Sequence, residues 1–220
     1  MDAMQGGGAS ARHWSIRHDC RKGYQVGLGT MHPSLVGKIK AWFWQLEIPC
    51  VAVYRLGQLA QELRQTSRIL AAVPYLTYVV LGAFMRLVLH VDISTRCRIG
   101  PGLHLGHPYT IIIGPTTIGS NCSLTHNVTI GMGLSSGRRG IPTIGNDVWI
   151  GPNAVLTGSI HVGDGATISA GSVVSRDVPP RALVMGNPAR VVLADYDNSP
   201  LLDYSLEPGA ELSPEHAVSP

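Results

Sequence analysis

IGNDVW at 144–149 is followed without interruption by IGPNAV, LTGSIH, VGDGAT and ISAGSV, which ends at residue 173. Each six-residue unit opens on an aliphatic residue. The same period runs backwards through Ile93, Ile99, Leu105, Ile111, Ile118, Leu124 and Ile130. It resumes after a gap at Ile144, Ile150, Leu156, Val162, Ile168 and Val174. Gly follows the aliphatic residue at 100, 106, 119, 131, 145, 151 and 163. Two positions before it stands a second small or apolar residue, as at Cys97, Leu103, Cys122, Val128, Val148, Ala154, Ile160, Ala166 and Ser172. A hexapeptide period is the signature of a parallel β-helix, in which each short strand supplies one face of a coil and each coil one layer of a continuous core.

The period breaks twice. One extra residue falls between Ile111 and Ile118. Between Ile130 and Ile144 the step is fourteen, so eight residues are extruded as a Gly-, Ser- and Arg-rich loop spanning roughly Met132 to Thr143. Solenoids place insertions in loops, often on the binding face, while the coils provide rigidity.

Composition agrees with this architecture. Of 220 residues only 14% are charged and 6% aromatic, against 26 Gly, so a narrow, tightly turned interior is favoured. A formal charge of +3 is too mild for a nucleic-acid partner but suits an anionic small ligand. The four cysteines (Cys20, Cys50, Cys97, Cys122) form no C-x-x-C pair, and Cys97 and Cys122 fall on the inward positions of the repeat. Buried thiols in a reducing cytoplasm follow.

Ahead of the solenoid, residues 1–33 are Gly-rich and irregular and read as a disordered segment. Residues 34–90 read as helical: Ser34 to Leu46 with Ser34 as cap, Val51 to Leu63, and Ile69 to Leu89, separated near Gln65–Ser67. Ile69 to Met85 approaches the lower length limit of a membrane span. Pro74, with Arg86 and His90 just beyond, argues for a buried helix, so membrane association is not expected. The β-helix occupies 91–192, with Pro179-Pro180 ending its ladder and Arg181 to Val192 wrapping back. Residues 193–220 read as a flexible tail.

The repeats, the extruded loop and the ending GSVVSRDVPP (171–180) with MGNPAR (185–190) resemble the left-handed β-helix acyltransferases, and among them the serine acetyltransferases. The Tyr54-Arg55-Leu56-Gly57 segment, the Val91-Asp92-Ile93 entry to the solenoid, and His107 fifteen residues after Asp92 carry the narrower resemblance. It implies an acetyl-CoA-dependent O-acetyltransferase, working as a homotrimer without a metal. His107 is then the general base that deprotonates an acceptor hydroxyl, and Asp92 orients its ring. Gly131 and Gly133, at the mouth of the loop, are candidates to present backbone N–H groups to the tetrahedral oxyanion.

For coenzyme A, the resemblance points to Pro152 and Ala170 along the pantetheine groove and to Ser175, Arg176 and Arg190 near adenosine and phosphates. Arginine forms strong charge-assisted bonds to phosphate, which supports that assignment. His126 lies nineteen residues after His107, one coil plus the extra residue, and should stack over it about 4.8 Å away. It contacts the acceptor, tunes the base or merely stacks. Carbonic anhydrases of this fold use three zinc-binding histidines, two of them five residues apart. His104, His107, His126 and His161 lack that spacing, so no metal is expected.

The resemblance fails where serine would be read. Serine acetyltransferases carry Asp immediately before the catalytic His, where this chain has Gly106. They carry Arg-His before the Pro that leaves the loop, where this chain has Gly140-Ile141 ahead of Pro142. Arg138 or Arg139 stands near enough to replace the lost Arg, and nothing replaces the Asp. The acceptor expected from this pattern is a sugar or specialised-metabolite hydroxyl, with L-serine as the alternative. From another class, a non-catalytic solenoid scaffold would share the repeats without binding acetyl-CoA.

Overall fold

The computed structural model describes residues 7–135 and 137–204. From Asp92 to Leu193 the chain winds into a three-faced parallel β-helix. The first face stacks Asp92–Ile93, Ile112–Ile113, Thr129–Gly131, Val155–Thr157 and Val173–Val174. The second stacks Arg98–Ile99, Thr117–Ile118, Thr143–Ile144 and His161–Val162. The third stacks His104–Gly106, Ser123–Thr125, Trp149–Ile150, Thr167–Ile168 and Leu183–Gly186. Both predicted inward columns are buried, and Leu105, Ile118, Leu124, Ile130, Ile150, Leu156, Val162 and Ile168 are wholly inaccessible. Cys97 and Cys122 are buried among them, and desolvation pushes their thiols up to about 11 and about 12, so both are protonated core groups.

The first break falls at a different corner from the one expected. Ile113, not Ile111, pairs with Ile93 and Ile130 on the first face. The step from Leu105 to Ile113 is therefore eight, and the step from Ile113 to Ile118 is five. Two residues are added at the turn holding His107 and Pro108, and one is removed from the next turn. Ile111 is still buried, in the minor inward column. Period counting sees only the net gain of one and cannot say which corner bulges.

The extruded segment folds as an antiparallel hairpin, Gly133–Ser135 against Arg138–Gly140. It lies back along later coils. The Ser135 hydroxyl donates to the Ser175 carbonyl at 2.8 Å, and a side chain at Gly133 or Gly140 would collide with Thr157 or Ser159. The ladder also runs past Pro179-Pro180. Val178 bridges Val162, Leu183–Gly186 adds a parallel strand, and Ala189–Leu193 returns antiparallel to close the third face. The prolines sit in the turn, where no ladder N–H is required.

Helices α1 (Gly7–Leu28), α2 (Leu35–Trp44), α3 (Glu47–Thr66) and α4 (Arg68–Phe84) precede the solenoid, and a π-helical turn at Met85–Leu89 leads into it. Ser34 caps α2 by accepting from the Gly37 N–H, and Ser67 breaks the chain between α3 and α4. The Tyr54-Arg-Leu-Gly57 segment is the socket of α3 on the first coil. Tyr54 donates to the Cys97 carbonyl, and Arg55 donates to the carbonyls of Ile99 and Gly100 at 2.8 and 2.7 Å. Gly57 is needed because any Cβ would overlap Tyr78 and Thr95.

Three expectations are corrected here. From Gly7 onward the segment expected to be irregular is helical: α1 packs on α3 and the solenoid through two buried charges. Asp19 accepts from Arg55 at 2.8 Å and from the Leu103 N–H at 2.8 Å. Lys22 donates to Asn121 and to the Cys122 carbonyl, satisfying its ammonium against turn carbonyls. Its polar composition hides this, because charged residues usually mark a solvated face. The stretch after 193 is ordered as far as Tyr204. It carries helix α5 (Ser199–Leu202), buries Leu202 and Asn198, and joins Tyr204 to His18 at 2.8 Å. The rest of that tail, like residues 1–6, lies outside the described residues. Finally, α4 is not a buried helix: Ile69 is 86% and Val73 75% exposed.

Candidate functional site

The corner between the third and first faces carries the candidate chemistry. Gly106 pairs with Thr125, which sets His107 beside His126 one coil along. Their ring centroids are 6.5 Å apart at an interplanar angle of 60°, an edge-to-face arrangement. The stack inferred from spacing is therefore present. Trp149 and Ile150 pair with Ser123 and Leu124 below and with Thr167 and Ile168 above. That register continues the corner from His126 to Pro152 and from Pro152 to Ala170. The Asn153 N–H donates to the His126 carbonyl, and the Gly171 N–H to the Pro152 carbonyl. His107, His126, Pro152 and Ala170 thus stand in single file. At the usual strand spacing the file is about 14 Å long.

The bulge presents His107. Each coil turns this corner through one left-handed residue: His90, Thr110, Asn127, Asn153 and Gly171 have φ of 55°, 54°, 56°, 62° and 69°. The inserted residues give the His107 coil a second such residue, His107 itself at φ 53°. Such backbone in a residue other than Gly is uncommon and concentrates at functional sites. The Tyr109 N–H closes the bulge onto the His107 carbonyl at 2.7 Å, and the Tyr109 side chain is half exposed. Spacing alone gives no sign of Tyr109, since counting hexads places the bulge at another turn.

His104 lies on the same outward row as Gly106. Its Nε2 is 3.6 Å from where a Gly106 side chain would begin, and its buried Nδ1 has no hydrogen-bond partner among the described residues. Burial, then the charges of Lys22 and His107, push its pKa down to about 3, so it is a neutral imidazole at ordinary pH. The position where the resembling family carries a carboxylate is here a gap bordered by that neutral ring.

Other candidates are not brought together. Among the described residues no hydrogen bond joins Asp92 to His107. Asp92 is exposed on the neighbouring coil and lines a crevice with Tyr78, Gly82 and Arg86. Gly131 is open on the side its missing side chain would occupy, with nothing within 4 Å, whereas Gly133 faces Thr157 and is a packing glycine. Arg139 reaches back to Met132, its Nε 2.8 Å from the thioether sulfur. Ser175 is half-buried beneath Ser135, while Arg176 and Arg190 are exposed. The hairpin leaves the solenoid at the corner between the first and second faces, so it and the His107 file flank the first face on opposite margins.

The architecture is a parallel β-helix of stacked hexads with a histidine raised from one corner. Residues 141–176 match the family model for the bacterial transferase hexapeptide (six repeats). The chain is 38% identical to the serine acetyltransferase of Synechococcus elongatus over 134 residues, covering 60% of this chain and 54% of that protein. Among solved structures, Neisseria gonorrhoeae serine acetyltransferase is 31% identical with a TM-score of 0.65, covering 87% of this chain and 71% of that one. The same Neisseria enzyme solved in complex with serine aligns at 29% identity with a TM-score of 0.63, over 84% and 70%. The chain belongs to the hexapeptide-repeat acyltransferases, near the serine acetyltransferases. It spans about half the length of the curated Synechococcus relative.

Proposed function

We propose that this chain is an acetyl-CoA-dependent O-acetyltransferase with His107 as its general base. The observation that carries the reading is the file His107–His126–Pro152–Ala170, which links a raised imidazole to the groove candidates for pantetheine. A ring nitrogen of His107 takes the acceptor's hydroxyl proton, and the oxygen attacks the thioester carbon. The tetrahedral intermediate collapses by breaking the carbon–sulfur bond, and the proton on His107 passes to the departing thiolate. No covalent enzyme intermediate is needed. Asp92 and His107 lie on adjoining coils, and their hydrogen bond forms only when the His107 bulge tightens in the loaded enzyme, as catalytic contacts commonly do.

The relatives' names favour L-serine as the acceptor over the sugar hydroxyl expected from the sequence. Gly106 favours the second reading, a glycan or metabolite hydroxyl. With a neutral His104 where the resembling family has an acid, an ammonium group on the acceptor loses its counter-charge, and lost polar contacts cost selectivity steeply. Placement of the hairpin and the His107 file on opposite margins of one face supports a homotrimer, with each site shared by two solenoids. Four free cysteines support a cytoplasmic setting.

The test is coenzyme A release with L-serine, sugars and simple alcohols, beside a thermal-shift titration with acetyl-CoA. Saturable turnover on L-serine supports the first acceptor. Turnover confined to sugar hydroxyls supports the second. No acetyl-CoA binding at all would sink both and leave a scaffold.

A further inference from the structure

Helix α4 with its π-helical extension (Arg68–Leu89) holds 22 residues, and between Arg68 and Arg86 none is charged. By length and composition it would cross a membrane, yet only 17% of its apolar window is buried. Ile69, Val73, Tyr75, Leu76, Val79 and Leu81 are exposed and, at about 100° per residue, fan round about two-thirds of the helix. Only the row through Ala71, Tyr78, Gly82 and Met85 turns inward. A helix apolar nearly all round belongs in a protein core or in lipid. A second copy of the chain would cover one further stripe, whereas lipid covers the whole exposed arc.

Helix α2 adds an independent sign. It exposes Trp42, Phe43 and Trp44 together with Lys38 and Lys40. Amphipathic Trp with Lys is the composition of the membrane–water boundary. Helix α4 runs antiparallel to α3, as the stacking of Arg64 on Tyr75 and the contact of Gly57 with Tyr78 show. The π-helical turn after α4, with Leu87 and Val88 exposed, therefore lies near the start of α3, which α2 precedes with its aromatic triplet. No acidic residue occurs in 28–46 or 68–91, while Lys38, Lys40, Arg68 and Arg86 are all exposed.

We propose that α2 and α4 form a docking surface that lies in the headgroup–acyl boundary of an anionic bilayer. The helices lie on the membrane and do not cross it. Helix α4 is packed along α3, which carries exposed Glu62 and Arg64 and is tied to the solenoid by Tyr54 and Arg55, so α4 cannot enter the hydrocarbon alone. This inference is independent of which acceptor the enzyme uses.

Flotation of the full chain with vesicles tests it. Wild type should float with vesicles of equal parts phosphatidylcholine and phosphatidylglycerol, and at least about tenfold less with phosphatidylcholine alone, since each basic residue near an anionic surface contributes to attachment. The double substitution Val73→Asp with Val80→Asp, at exposed positions, should abolish flotation while leaving the melting temperature unchanged. Trp44→Ala should weaken it independently. Wild type that stays at the bottom of the gradient overturns the proposal. So does a double variant that floats normally, or one that instead dissociates a larger assembly formed without vesicles, which would make this face a subunit interface.

Discussion

The solenoid and the helical region bury their residues by opposite means. In the solenoid every layer repeats the same solution: an aliphatic residue inward, a turn outward, and backbone groups paired with the next coil. In the helical region the anchoring groups are charged. Arg55, Asp19 and Lys22 are buried and satisfied by turn carbonyls and each other, while much of the apolar surface of α2 and α4 faces outward. The solenoid gains stability from many equivalent contacts. The helical region depends on a few polar clamps, each of which matters alone.

Removing one clamp should be the more damaging change. Arg55→Ala strands a buried Asp19 carboxylate and leaves the carbonyls of Ile99 and Gly100 without their donors. A loss of about 3–5 kcal/mol is expected in denaturant unfolding. Ile130→Ala in a wholly buried layer should cost about 2–5 kcal/mol, since neighbouring coils cannot collapse into the space. If Ile130→Ala proves clearly the worse, the contrast between repeated contacts and single clamps is wrong. Ser135→Ala removes the tether between the hairpin and the last coils and should cost about 1 kcal/mol, with faster hydrogen exchange confined to residues around the hairpin.

His104 gives the smallest and most specific effect. Its folded pKa is depressed to about 3 from the ordinary 6.5, so between these values the unfolded chain binds more protons. Stability is therefore full above about pH 6.5 and falls as the pH drops towards 3. In His104→Asn that share of the acid limb should flatten, read as melting temperature against pH. A profile identical to wild type would mean that His104 is not a buried neutral ring.

The same contrast decides what was legible. Thirteen hexads specify the core, and the spacing of His107 and His126 specifies their stack, because a solenoid converts sequence distance directly into layers. Even there, net counting puts the bulge at the turn after Ile111 and not at His107, since gains and losses at adjacent turns cancel. The clamps of α1 were illegible. Lys22 and Asp19 look like solvent-facing charges until the turn carbonyls that receive them are placed nearby. The apolar run of α4 was visible, but a run reads the same whether protein or lipid covers it. Asp92 shows the limit of spacing at the site: fifteen residues put it on the coil beside His107, but a hydrogen bond depends on how the bulge closes.

His107→Ala, assayed by coenzyme A release at saturating acetyl-CoA with the best acceptor, tests the central claim most directly. With folding and acetyl-CoA binding intact, kcat should fall by at least about a hundredfold, the loss of a general base. A kcat within a few-fold of wild type would contradict the assignment of the raised corner as the catalytic one.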